Sequence, residues 1–326
     1  MDDPLHKTIR EAKKIQADGN LSEAQTLYEQ ILDSRPHHAE TNYLLGNLFL
    51  SRGEITKAAP FLVTSISHVP SNQSFWLSYI DYLIEGQRFF ASKVAIEQPK
   101  RSGLDQQKME TLESNPEAQT IAQPARRPPT LAEKRKRSAL KKRRKNPQSK
   151  QNTLAEQLTS AFVELYQAGK LVQAEILARD LTHRFREDPF GWKALGLTLQ
   201  NSGRLVESLP VVFHAAHLNP GDFEAQYNLG VSLQRLNFLT EAEKIYQTAL
   251  SLHPDSAEVH NNLGVTQLDQ RKFEAAEMNF RRTIALRPNF PMGFNNLGNG
   301  LKELGKLEEA IANYRKAILL EPDYSE

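Results

Sequence analysis

The sequence contains no cysteine, and only two tryptophans and four methionines in 326 residues. Without cysteine there is no disulfide framework, no thiolate zinc or iron–sulfur site and no cysteine nucleophile. The absence also fits a reducing compartment. Long apolar runs are missing too. The longest, around Tyr43 to Leu50, is interrupted by Gly46 and Asn47 and falls far short of the ~20 residues of a spanning helix. The start, Met1-Asp2-Asp3-Pro4, is acidic and lacks the apolar core of a secretory signal. These absences point to a soluble, cytoplasmic protein. What remains is 39% apolar and 25% charged, polar in balance but able to bury a core.

The net charge is only +2, yet the charge is unevenly placed. Residues 126–150 hold twelve Lys/Arg against one acid, Glu133, so this stretch carries +11 and the remainder −9. Its main bases are Arg126, Arg127, Lys134, Arg135, Lys136, Arg137, Lys141, Lys142, Arg143, Arg144 and Lys145. Three readings stand side by side: a solvated spacer holding two domains apart, a weak salt-sensitive contact with nucleic acid or an anionic surface, and an import signal. No aromatic lies between Ile121 and Asn152, so nothing there can stack on bases.

Self-comparison exposes a repeat. Residues 189–222, 223–256, 257–290 and 291–324 align without a gap at a period of 34, and 155–188 keeps the register more weakly. The last copy places Phe294, Leu297, Gly298, Leu301, Ala310, Tyr314, Ala317 and Pro322 in phase. The copy at 223 places Gln226, Leu229, Gly230, Leu233, Ala242, Tyr246, Ala249 and Pro254 there, and only Gln226 departs from the apolar type. Each copy reads as two amphipathic helices joined by a polar turn such as Glu303-Leu304-Gly305-Lys306. Gly298 and Ala310 are small where antiparallel helices approach, and Tyr314 fills the space beside them. Pro322 ends the second helix, and residues such as Ser256 after the proline can cap the next.

The pattern resembles the tetratricopeptide repeat, a helix–turn–helix unit of this length. The resemblance implies an all-α fold, an α-solenoid of two helical-repeat arrays joined by a flexible basic linker. Residues 1–113 then form an array of about three repeats plus a capping helix at 104–113, with Pro60 in the first turn of a second helix. Residues 114–152 form a Pro-rich, then Lys/Arg-rich linker too polar to bury a core. Residues 153–326 hold five repeats and stop just after the fifth, which points to a fragment of a longer protein.

Catalytic patterns are absent. Gly300 to Leu307 mimics a phosphate loop but ends in leucine, not Ser/Thr, and follows no strand. His214 with His217, and His37 with His38, lack a third ligand nearby and read as solvated or packing histidines. No cofactor or metal is implied, and this chain itself reads as non-catalytic.

The first helices carry the binding signal. Asn228, Asn262 and Asn296 occupy the sixth position of consecutive repeats, preceded by Tyr227, Asn261 and Asn295, and Asn299 follows Gly298. An asparagine amide donates and accepts, so such a column can hold a peptide backbone in a groove lined by first helices. It resembles the asparagine ladder of O-linked N-acetylglucosamine transferases. The alternative is a consensus kept for solubility and bonding between repeats. A two-carboxylate clamp is excluded, because Leu197 stands where asparagine is needed beside Lys193. The whole arrangement is similar to bacterial repeat proteins that often carry a C-terminal transferase domain of the O-linked N-acetylglucosamine (SPINDLY) type or a sulfotransferase. Three functions follow: a protein-interaction scaffold, the substrate-recognition arm of a larger modifying enzyme, or weak nucleic-acid binding through the basic linker.

Overall fold

The structure, a computed structural model, describes residues 4–85, Ala95 and 148–321. Five helices come first: α1 (Pro4–Ala17), α2 (Leu21–Ser34), α3 (Ala39–Ser51), α4 (Ile55–His68) and α5 (Gln73–Glu85). Next are α6 (Gln148–Gln167), α7 (Leu171–Arg184), α8 (Pro189–Asn201) and α9 (Leu205–Leu218). The last six are α10 (Phe223–Arg235), α11 (Leu239–Leu252), α12 (Ala257–Asp269), α13 (Phe273–Leu286), α14 (Pro291–Glu303) and α15 (Leu307–Leu320). Among the described residues there is no strand, and no helix is long and apolar enough to cross a membrane. The fold is an all-α solenoid of helical pairs. The expected capping helix at 104–113 and all eleven bases named above lie outside the described residues. Helix α6 begins at Gln148, inside the stretch read as linker.

The repeat is built on one close approach. At its eighth position a glycine faces the side chain at its twenty-fourth. A Cβ added to Gly230 would sit 2.5 Å from Tyr246 Cε1, and on Gly264 or Gly298 equally close to Phe280 or Tyr314. Gly196 and Gly46 meet Val212 and Leu62 in the same way. Glycine is therefore there for the side chain opposite, not only for the small alanine of the second helix. In the repeat at 155 the sizes are exchanged, Phe162 at the eighth position and Ala178 at the twenty-fourth, both buried, which accounts for its weaker pattern.

Two further positions recur. The turn between paired helices needs a left-handed residue, and Gly19, Gly53, Gly169, Gly203 and Gly305 supply it with φ of +70° to +86°. Asn237 and Arg271 take that place in two repeats at φ 66° and 60°. At the fourth position, side chains donate to the loop carbonyl six residues earlier: Asn42 to Pro36 at 3.0 Å, Trp76 to Pro70 at 2.8 Å, Trp192 to Arg186 at 2.8 Å and Gln226 to Pro220 at 3.2 Å. This explains why Gln226 can replace an aromatic. Its amide tethers the preceding loop as the tryptophan indole does. Ser256 caps α12 by accepting from Val259 N at 3.3 Å, as its place after proline predicts.

The chain divides into two compact units, Met1–Leu218 and Asn219–Glu326. In the first, α4 packs directly on α9, although they belong to arrays separated by the basic segment. Pro60, expected in a first turn, is the sixth residue of α4 and is buried; Pro210 repeats that placement in α9. In the second unit, Ala276, Phe280, Leu297, Leu301 and Ala310 form a core across neighbouring repeats.

Gly264→Ala is expected to cost about 1–3 kcal/mol by forcing the Phe280 ring aside, read by urea denaturation. Arg271→Gly is expected to raise stability by about 0.5–1 kcal/mol, because it removes left-handed strain from a residue with a Cβ.

Candidate functional site

The first helices of the second unit, α10, α12 and α14, present their fifth and sixth positions along one side. Four of the predicted residues join in a single hydrogen-bonded chain across three repeats. Asn296 Nδ2 donates to Asn261 Oδ1 at 2.9 Å, Asn261 Nδ2 to Asn262 Oδ1 at 3.3 Å, and Asn262 Nδ2 to the Tyr227 hydroxyl at 3.3 Å. The links from Asn296 to Asn261 and from Asn262 to Tyr227 each join the sixth position of one repeat to the fifth of the repeat before. Stacking at a constant period brings those positions together twice in the same geometry.

Asn261 is buried, while Tyr227, Asn228, Asn262, Asn295, Asn296 and Asn299 are half-buried. Burial pushes the Tyr227 phenol above its ordinary value, so it stays protonated and keeps its own hydrogen to donate. Asn299 is drawn away from the chain, its Oδ1 accepting from the Tyr314 hydroxyl at 2.8 Å. Among the described residues, Asn295 makes no side-chain hydrogen bond to the other asparagines. The column is thus partly committed to holding repeats together.

Models of the tetratricopeptide repeat match residues 16–81, 222–289 and 291–324, together about half of the sequence. The chain belongs to the tetratricopeptide repeat family. A stack of such repeats is a scaffold for protein–protein interaction, its function carried by the surface that stacking creates. No curated protein matches it. Among solved structures, a MamA RS-1 double mutant is 18% identical over 52% of this chain and 94% of its own, with a TM-score of 0.48. MamA 41-end from Desulfovibrio magneticus RS-1 is 18% identical over 53% and 97%, also at 0.48. YrrB, described as a TPR protein with an unusual peptide-binding site, is 18% identical over 51% and 86%, at 0.45.

Other features of this tetratricopeptide chain fall into place. Gly300 to Leu307 spans the end of α14, the turn and the start of α15, as ordinary repeat sequence does. His214 is buried edge-on against Trp192, with ring centroids 4.6 Å apart, whereas His217 is exposed. Neither belongs to a metal cluster, and none occurs among the described residues. A cavity of about 410 Å³ opens beside Asn299, with Asp269, Arg271, Lys302 and Glu303 on its walls. Asp269 and Arg271 gave no signal in the sequence, because only the stacking of α12 on α14 brings them to Asn299.

Asn296→Ala removes the donor to the buried Asn261 carbonyl oxygen. The expected loss is about 1–2 kcal/mol, measured by thermal denaturation. No loss would mean that water takes over this bond.

Proposed function

We propose that the first-helix face of residues 219–326 binds extended polypeptide chiefly through main-chain hydrogen bonds, with no catalytic step in this chain. The observation that carries the reading is the bonded row Asn296, Asn261, Asn262 and Tyr227 on a half-exposed face. Each amide is oriented by the repeat next to it, so little side-chain entropy is left to lose on binding. Asn228 and Asn295 extend the row at its two ends. An extended peptide offers alternating N–H and C=O groups, which match amides able to donate and accept. The row carries no net charge, so it selects for backbone rather than for an acidic or basic sequence.

The test uses the full chain on an array of short peptides, beside a variant with Asn228→Ala, Asn262→Ala and Asn296→Ala. Bound peptides are expected to tolerate side-chain changes, to weaken at least about tenfold on N-methylation of one central amide, at roughly 1.4 kcal/mol per tenfold, and to be lost by the triple variant. Circular dichroism checks that the variant keeps its helices. Unchanged affinity in a folded triple variant would show that the asparagines serve only to bond repeats together.

A further inference from the structure

The seam between the first repeats and those around α7 to α9, within Met1–Leu218, holds imidazole and guanidinium groups that the repeat pattern does not require. His37, in the loop between α2 and α3, stacks on His68 of α4 with ring centroids 5.1 Å apart and planes 13° apart. His183 of α7 meets His37 edge-on at 6.3 Å. Arg179 of α7 is buried, only 9% exposed. Its Nη1 lies 3.1 Å from His68 Nε2 and 3.3 Å from Nδ1, over the ring, and donates to Ser67 Oγ at 3.3 Å. Its Nη2 lies 2.7 Å from Glu175 Oε1. Arg186, just past α7, lays its guanidinium over the Phe61 ring of α4 at 4.0 Å.

The hydrogen bonds set the tautomer of His68. Its Nδ1 lies 2.9 Å from the Thr64 carbonyl oxygen, which can only accept, so Nδ1 carries the proton. The lone pair is then on Nε2, and the Arg179 guanidinium lies against the ring beside both nitrogens. A second proton could enter only at Nε2. It would bury a cation against a guanidinium. The stacked His37 faces the same difficulty, since a charge on either ring opposes a charge on the other and on Arg179.

We propose that this cluster is a proton-sensitive latch: α4 stays docked on α7 and α9 while His37 and His68 are neutral, and is released when they take up protons. The groups acting on the pair come from each element around it. Arg179, His183 and Arg186 oppose a further positive charge, whereas Glu175 and Asp180 favour it. From α9, Glu207 acts on Arg179. Opposition wins: burial first, then Arg179, push both His37 and His68 down to about 4.

Released imidazoles return toward their ordinary 6.5, so the undocked form binds more protons between those limits. Docking is therefore complete above about pH 6.5 and is lost as the pH falls toward 4. At pH 5 each histidine weakens docking by roughly 20-fold relative to neutral pH. Release would part Pro60 and Phe61 of α4 from His214 and Leu218 of α9, which line one cavity in the docked form.

With no native cysteine, the full chain takes a fluorophore pair cleanly at Asp18→Cys and Gln167→Cys, both exposed positions. Energy transfer is expected to drop with a midpoint between pH 6.5 and 4 while helical circular dichroism persists. The same pair in a His37→Asn, His68→Asn background is expected to stay docked at pH 5. Transfer that holds to pH 4.5, a midpoint that the double variant shares, or loss only together with helicity would each overturn the latch. If the double variant is already undocked at pH 7.5, histidine ring NMR of the unaltered chain decides. Titration of both rings well below pH 6 supports the latch, and titration near 6.5 overturns it.

Discussion

The contact between a glycine on the first helix and the large side chain sixteen residues later governs much of the second unit. Three rings, Tyr246, Phe280 and Tyr314, lie where a Cβ on Gly230, Gly264 or Gly298 would be. That approach sets the spacing and rotation of the two helices in each pair. Three consecutive repeats obey it alike, so their first helices return at a constant offset. Constant offset is the condition for bonds that join the sixth position of one repeat to the fifth of the one before. The asparagine row is a consequence of the glycine contact, not an independent feature.

The two readings of that row are not exclusive. Bonds between repeats consume one donor or acceptor on each of Asn261, Asn262 and Asn296, and an amide has more than one to offer. Internal bonding also holds each amide in one orientation, which a flexible surface side chain lacks. Asn299 shows the opposite outcome. Its carbonyl oxygen is engaged by Tyr314 of its own repeat, so it lies near the row without belonging to it.

The first unit follows another logic. Its helical pairs use the same turn and loop devices, yet two second helices, α4 and α9, also bury their outer faces against each other. The seam sets Pro60 and Phe61 beside His214 and Leu218 and is flanked by Arg179 and Arg186. Charge in such a place must be matched group by group, because little water is left to screen it. Glu175 does this for Arg179, and the neutral rings of His37 and His68 complete the arrangement.

The repeat period, the helical pairs, the glycines of the turns and the register of Asn228, Asn262 and Asn296 were legible in the sequence, because each rests on contacts within one repeat or between adjacent ones. Gln226 looked like a departure until its bond to the Pro220 carbonyl was seen. The docking of α4 on α9 was not legible, nor was the meeting of His37, His68, His183 and Arg179. Their partners lie more than a hundred residues apart across the basic segment, and no period relates them. Local periodicity determined the repeat and its candidate face, because a 34-residue pattern needs only nearest neighbours to fold. Only tertiary structure decided which outer faces are buried and which histidines share one site, since that depends on how separate arrays pack.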